Sequence, residues 1–220
     1  PWSSYKSQIK AIVVEDGITA IGNYAFYNHA KATSISVAAS VKKVGLQFIR
    51  GTLITEIELP GVEVIVGNAF GAADSLTRVV LSEKVRDIYG NMFMAGTRAI
   101  TVVAPEGSYV DYYVQTYVET YKDGAANLVF EADGSAVTRK ILDFQKAGHM
   151  VYYTLYEESN KTLTVEYSGT GKMTNFAYYS DKNIARGYTF SPTRMIFQNG
   201  VVGTSYTFKN IFNVVLGDDI

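Results

Sequence analysis

The sequence lacks several features on which many folds and functions depend. It contains no cysteine, which excludes a disulfide framework but leaves the redox compartment open. No apolar run reaches the roughly 20 residues that a membrane-spanning helix needs, so we expect no membrane insertion. The formal net charge is −1, so the charge balance gives no reason to expect nucleic acid or an anionic membrane as a partner. No signal sequence follows Pro1, and an exported protein would carry its signal upstream.

The sequence also lacks the arrangements of residues that carry common enzyme chemistry. It has no GxSxG elbow, P-loop or dinucleotide fingerprint. Its two histidines, His29 and His149, have no second ligand at metal-binding spacing. Neighbouring carboxylates on a strand, such as Glu157-Glu158, point to opposite faces and cannot act as an acid and base pair. We therefore predict no catalytic residue, no metal and no cofactor; a pocket holding two carboxylates about 5 to 9.5 Å apart would contradict this.

What the sequence does contain is a repeated spacing of apolar residues. Four anchors, Ile18, Val41, Val62 and Val85, lie 23, 21 and 23 residues apart. Before each anchor two apolar residues alternate with others, as in a short strand: Ile12 and Val14; Ile35 and Val37; Ile57 and Leu59; Val79 and Leu81. After each anchor comes an aromatic residue: Phe26, Phe48, Phe70 and Phe93. A fixed period of this size indicates a solenoid.

A single unit has too few apolar side chains to enclose a core, so each unit must bury its inward residues against the next. The strands, stacked in register, then form a parallel sheet along one side, and the phenylalanines fill the far side. After Pro105 the period changes, because Tyr109, Tyr113, Tyr117 and Tyr121 recur every four residues. This predicts a helix over about 107–122 that closes the C-terminal end of the stack.

Residues typical of helix ends lie on both sides of that predicted helix. Ser108, with Asp111 three residues on, resembles a capping box, and Gly124 marks the stop. At the opposite end of the stack Trp2 is the expected lid, with a ligand-stacking role as the alternative.

The second half of the chain is predicted to be a β-rich module. Residues 125–149 are interpreted as two short strands around the turn Asp133-Gly134 followed by a loop, and 150–167 as a hairpin around Glu158 to Lys161. TRMIFQNGVVG aligns with KAIVVEDGITA, which places Met195 on Ile12. The predicted domains are therefore 1–123, a solenoid with its helix, and 124–220, a hairpin cap with one or two degenerate repeats.

No closing helix is predicted for the second stack. We expect its C-terminal end to meet either further sequence or the N-terminal end of another copy, which is an end-to-end self-association.

The residues that alternate with the inward strand positions should line an open sheet face, where a repeat protein binds partners. Small or apolar residues come first in this row, at Ala11 and Val13. The candidate binding residues are Ser34, Ser36, Glu56, Glu58, Arg78 and Val80. The alternative for the three charged members is a solvated ladder of opposite charges.

The repeat resembles the BspA-like class of leucine-rich repeat, whose unit is roughly LxxIxIPxxVxxIGxxAFxxC. PWSSYKSQIKAIVVEDGITAIGNYAFYN is similar to the first unit of that family, and SGTGKM at 168–173 is similar to the segment that precedes it. The resemblance covers about 1–122 and part of 150–220. The family's cysteine is absent, with Asn28, Arg50, Ala72 and Ala95 in its slots.

The resemblance implies a leucine-rich-repeat solenoid, with short parallel strands and few helices, on an exported bacterial protein at the cell surface or outside the cell. It also implies adhesion to a protein or glycan of a host or neighbouring cell. A structural spacer that projects other domains is the alternative, and neither function requires an enzyme.

Overall fold

The sequence alternation produces short parallel strands in the computed structural model, which describes residues 3–93, 99–120, 127–148, 151–169, 171–172, 194–197, 201–202 and 213–216. The chain divides into two units, Pro1–Ala136 and Val137–Ile220. Among the described residues, no helix is long and apolar enough to cross a membrane.

The first unit consists of short strands and one helix. After a 3-10 turn at Ser3–Tyr5, its elements in chain order are β1 (Ala11–Val14), β2 (Ala20–Ile21), β3 (Ser34–Val37), β4 (Lys43–Val44), β5 (Glu56–Leu59), β6 (Val64–Ile65), β7 (Arg78–Leu81), β8 (Asp87–Ile88), β9 (Ala99–Glu106), α1 (Tyr109–Thr120) and β10 (Asn127–Ala136).

The predicted parallel stack is confirmed. β1 pairs in parallel with β3, with Ile12 opposite Ile35, and β5 pairs in parallel with β7, with Ile57 opposite Val79. β3 and β5 lie next to each other, and β9 and β10 extend the ladder beyond β7. The inward residues alternate with exposed ones along each strand, as in the buried Ile57 and Leu59. The period read from the sequence is therefore the period of the coil.

A second parallel ladder, in the order β2, β4, β6, β8, runs along another side of the coil. Between these ladders the phenylalanine slot forms a column, with ring centroids 5.7 Å apart for Phe48 and Phe70 and 5.3 Å for Phe70 and Phe93. Aromatic pairs at this separation contribute favourable ring contacts in addition to the apolar area that they bury.

The corner that carries the phenylalanines has a backbone ladder of its own. The N–H groups of Tyr24 and Phe26 donate to the carbonyls of Leu46 and Phe48, each at 2.8 Å. The first three turns have left-handed residues at the same two places. The first place holds Tyr24, Gln47 and Asn68, with φ of 56°, 47° and 56°, and the second holds Asn28, Gly51 and Ala72, with φ of 57°, 70° and 53°. Asn28, Gly51 and Asn68 are of types that favour left-handed backbone, whereas Tyr24, Gln47 and Ala72 are not, so the residue types predict only part of this corner.

The capping helix was predicted over about 107–122 and is observed at Tyr109–Thr120. The N–H of Asp111 donates to Ser108 Oγ at 3.3 Å, while Asp111 Oδ2 accepts the N–H of Gly107 at 2.7 Å. These two bonds satisfy donors at the helix start that have no partner within the helix. The expected stop at Gly124, Tyr121 and the proposed lid Trp2 lie outside the described residues.

The prediction of two short strands around Asp133-Gly134 is wrong. Asn127–Ala136 is one strand, parallel to β9, with a register irregularity between Ala132 and Ala136. Gly134 has φ 82°, and Asp133 Oδ1 accepts the N–H of Ser135 at 2.8 Å. The Asp-Gly pair therefore makes a bulge within a strand instead of reversing the chain. β10 belongs to the first unit, although the predicted boundary at residue 123 precedes it.

The second unit begins with a strand where the sequence predicted a loop. Its strands are β11 (Arg139–Gly148), β12 (Val151–Glu158), β13 (Leu163–Gly169), β14 (Gly171–Lys172), β15 (Arg194–Phe197), β16 (Val201–Val202) and β17 (Asn213–Leu216). The predicted hairpin is confirmed, because β12 and β13 pair antiparallel. β13, β15 and β17 then run in parallel, and β14 pairs in parallel with β16. The arrangement repeats the paired ladders of the first unit and so corresponds to the start of a second stack.

Candidate functional site

The open face is formed by the outward residues of two neighbouring parallel sheets, β1–β3 and β5–β7–β9–β10, with β3 and β5 next to each other. The six candidate residues all lie on it: Ser34, Ser36, Glu56 and Glu58 are exposed, whereas Arg78 and Val80 are half-buried. Alternation along each strand puts them there, since the intervening residues are the inward ones. Glu56 lies opposite Arg78, and Glu58 lies opposite Val80, while Ser34 and Ser36 lie on the neighbouring strand β3.

Arg78 is the centre of the charged part of this face. Its guanidinium binds Glu131 through two hydrogen bonds of 2.8 and 3.0 Å, and its Nε lies 3.2 Å from Glu56. The hydrogen bond from Arg78 lowers the pKa of Glu131, and the same bond raises the pKa of Arg78. Bidentate geometry fixes the orientation of both side chains. Part of the face is thus the ladder of opposite charges that the sequence left as the alternative for the charged residues.

Glu131 is the residue of this face that the sequence analysis missed. It lies on β10, 53 residues from Arg78. The sequence pattern that places Glu131 on the outward side is present. Leu128 and Phe130 alternate with Val129 and Glu131, as in a strand with one inward side. A short strand was predicted before Asp133, but the interpretation of Asp133-Gly134 as a hairpin turn hid its parallel pairing with β9.

The face differs between its two halves. On β9, Val103 lies opposite Val80 and Glu131 and is only 3% exposed. Since Arg78 is on β7 and Glu131 on β10, their ion pair crosses β9 at this point. The ion pair therefore covers the face at Val103, whereas Val129, the neighbouring outward residue of β10, is 48% exposed.

The half formed by β1, β3 and β5 is accessible. Val13 is 66% exposed, Ser34 and Ser36 are small, and Glu58 has no ion-pair partner in the described part of the chain. Counted over the face as a whole, three carboxylates (Glu56, Glu58 and Glu131) accompany one guanidinium. The face therefore carries a local excess of negative charge although the whole molecule is nearly neutral.

The tyrosine stripe of α1 closes the other end of the stack. Tyr113 Oη accepts the N–H of Met92 at 3.1 Å and donates to the carbonyl of Gly90 at 3.3 Å, and Tyr117 Oη donates to Asn91 Oδ1 at 2.8 Å. In the preceding turn an amide of the same corner, that of Phe70, donates to the carbonyl of Met92 in the next turn. The hydroxyls thus replace the partners that a further turn would supply, and the stripe is a cap, as predicted.

The charged residues around Arg139 in the second unit form structural contacts with one another. Arg139 binds Glu158 at 3.1 Å and Glu166 at 2.6 Å, and its guanidinium lies 3.7 Å from the ring centroid of Tyr156. Burial raises the pKa of Tyr156. Glu157 binds Lys161 instead, so the neighbouring carboxylates Glu157 and Glu158 face different cations.

Of the two histidines, His29 lies in the described part of the chain. Within the described residues, no group of three or more histidine, aspartate or glutamate side chains could hold a metal ion. His29 is buried, with its ring 6.1 Å from that of Phe26, and His149 lies outside the described residues.

Comparison with known families identifies the repeat. The family described as the BspA type leucine rich repeat region matches residues 3–114 in six copies, a range that runs from the first 3-10 turn into the capping helix. Comparison with curated proteins and with solved structures finds no significant match. Domains of this type are typically found on the surface of bacteria, and solenoids of this fold are typically non-enzymatic binding scaffolds. With half of its length matched and the coil and cap in place, the chain belongs to the BspA-type leucine-rich repeat family.

Proposed function

We propose that the chain is a non-enzymatic interaction module of a bacterial cell surface that binds a protein or glycan through the accessible half of its open face. The observation that carries this proposal is the contiguous outward row on β1, β3 and β5, where Val13 and Ser34 are exposed and Glu58 has no ion-pair partner among the described residues. A rigid, shallow surface of this kind suits a macromolecule better than a small ligand, which is typically held in a concave pocket.

The charge of the face favours a partner with basic groups. Arg78 is already bound to Glu56 and Glu131, which leaves Glu58 as the carboxylate available to an incoming cation. Complementary charge at the rim of an interface acts mainly on the association rate and on specificity. The partner proposed here is therefore a protein or glycan that presents amino or guanidinium groups to Glu58.

A binding screen against extracellular-matrix proteins and glycans tests the proposal. We expect a partner whose affinity falls when Glu58→Lys reverses the charge, with a marked effect of salt because the contact is exposed. Asp16→Lys is the matched control, since it makes the same charge change in the turn after β1, away from the open face. Equal affinity for the two variants would place the binding surface elsewhere.

The second candidate is a structural spacer that projects other domains from the cell surface. It is favoured by the small residues Ala11, Ser34 and Ser36, and by the internal neutralisation of Arg78. Alanine substitution of Glu56, Glu58 and Arg78 separates the two functions once a partner is found. Unchanged affinity in all three variants favours the spacer, or a site away from this face.

A further inference from the structure

The loop that joins β12 and β13 carries a triplet of residues that is an acceptor sequence for a covalent modification. Asn160, Lys161 and Thr162 follow the pattern Asn-x-Thr, to which N-linked glycans are attached in exported proteins. No other asparagine in the sequence is followed two residues later by serine or threonine. A single segment of the chain therefore meets the sequence requirement for this modification.

The backbone of this loop presents the asparagine at the tip of the hairpin. The N–H of Lys161 donates to the carbonyl of Glu158, and the N–H of Glu158 donates to the carbonyl of Thr162, each at 2.9 Å. Lys161 is left-handed, with φ 66°. This combination is a three-residue hairpin loop, in which a turn is followed by a left-handed residue. Asn160 is the middle residue of the loop and is exposed, as are Ser159 and Lys161.

The side chain of Asn160 is bound to the threonine that completes the triplet. Its Oδ1 accepts the hydroxyl of Thr162 at 2.6 Å and the backbone N–H of the same residue at 3.1 Å. A backbone N–H can only donate, which identifies the bound atom as the oxygen of the amide. Asn160 Nδ2 makes no hydrogen bond to any described residue. The nitrogen to which a glycan would be joined is therefore available, while Thr162 fixes the orientation of the amide.

The contacts around the tip leave room for an added group. Lys161 Nζ lies 2.7 Å from Glu157 Oε1, but the lysine side chain is 79% exposed. An ion pair as exposed as this one contributes little to stability. A sugar on Asn160 thus displaces no buried side chain, since the asparagine and both of its loop neighbours face solvent.

We propose that Asn160 is an acceptor for an N-linked oligosaccharide. The donor is an oligosaccharide joined through a diphosphate to a polyprenyl lipid. Asn160 Nδ2 forms a bond to the anomeric carbon of the first sugar, while the bond from that carbon to the diphosphate oxygen breaks. The polyprenyl diphosphate leaves with the electron pair, and Nδ2 loses one proton to a basic group of the transferase. The step is a substitution at carbon, with no change of oxidation state.

This site and the open face can be tested separately. Asn160 belongs to the second unit, whereas the outward residues of the open face belong to the first. The binding screen for the open face uses the unmodified chain, so its result does not depend on a glycan. Modification of Asn160 is in turn measured without any binding partner.

Intact-mass spectrometry tests the site on the purified, folded full chain. The chain is incubated with a purified bacterial oligosaccharyltransferase and a polyprenyl-diphosphate-linked oligosaccharide. An acceptor peptide of that enzyme, added to the same reaction, verifies that the enzyme is active. We expect one mass increment equal to that of the oligosaccharide, and peptide mapping should place it on Asn160.

Substitutions in the triplet identify the atoms that the modification requires. Asn160→Gln and Thr162→Ala should lose the increment, whereas Thr162→Ser should keep it because serine retains the hydroxyl. Asn127→Gln, a change at an exposed asparagine outside the triplet, is the matched control and should keep it. Circular dichroism verifies the fold of each variant. An unmodified wild type beside a modified acceptor peptide, or an increment that remains in Asn160→Gln, overturns the inference.

Discussion

At the residue scale, the fold depends on positions that tolerate only one kind of side chain. Gly61, in the corner after β5, is one of these: a Cβ added there would lie 1.9 Å from the carbonyl oxygen of Ala39 in the preceding turn. The two turns are therefore in backbone contact, with no room for a methyl group. Gly22, at another corner, has no atom within 4 Å of the corresponding position.

This contrast predicts different effects for the same substitution. Gly61→Ala should lower the free energy of unfolding by about 1–3 kcal/mol, because the corner must move to relieve the overlap. Gly22→Ala should change it by less than about 1 kcal/mol. Urea unfolding followed by circular dichroism measures both. Equal losses in the two variants would mean that the turns are not in contact at Ala39.

The Arg78–Glu131 pair makes a second prediction at this scale. Because the folded protein lowers the pKa of Glu131, the pair stabilises the fold above the ordinary glutamate pKa, and this contribution is lost as the pH falls through the lowered value. Arg78→Gln should raise the pKa of Glu131 toward the ordinary glutamate value. Carboxyl NMR titration measures it, with Glu157 as the control, since Lys161 lowers the pKa of that residue. A Glu131 titration that is the same with and without Arg78 contradicts the ion pair.

At the scale of elements, the capping helix explains how the stack ends. A repeat that stops leaves backbone groups and apolar side chains without partners. Here the tyrosine rings cover the apolar surface of the last turn, and their hydroxyls bind its backbone at Gly90 and Met92. Tyrosine is present here in place of phenylalanine because its hydroxyl binds backbone groups at the end of the stack.

Tyr113→Phe tests this role. The buried N–H of Met92 loses its acceptor, which should cost about 1–3 kcal/mol of unfolding free energy although the ring remains. Tyr24→Phe, at an exposed side chain, is the control and should have little effect. Thermal denaturation gives the stability, and hydrogen exchange should be faster at Met92 in the first variant. Unchanged exchange at Met92 would show that the hydroxyl is not its partner.

At the scale of the whole molecule, β10 decides where the first unit ends. It pairs with β9 along Asn127–Ala132 and supplies the carboxylate for Arg78. A chain ended at residue 123 would expose the edge of β9 and leave that guanidinium with Glu56 alone.

Two shortened chains test this boundary. We expect residues 1–136 to be more stable than 1–123, by about 2 kcal/mol from the half-buried Leu128 and Phe130 alone. Differential scanning calorimetry of both fragments measures the difference, and the full chain serves as the reference. Equal stability would mean that β10 contributes nothing to the first unit.

The sequence alone determined the coil and its cap, because both follow from a periodic spacing of residues along the chain. Alternating residues such as Ile57 and Leu59, repeated every 21 to 23 residues, can bury their inward side only by stacking. The spacing of four between tyrosines can form one stripe only on a helix.

The tertiary structure alone decided which distant residues meet and where the backbone turns left-handed. Glu131 reaches Arg78 because β9 had a free edge for β10, and edge pairing is set by which strands remain unpartnered in space. Tyr24 and Ala72 adopt positive φ because the ladder at their corner requires it, against their own preference. Local patterns fix what must be buried, whereas the partner of each exposed edge and charge depends on the assembled stack.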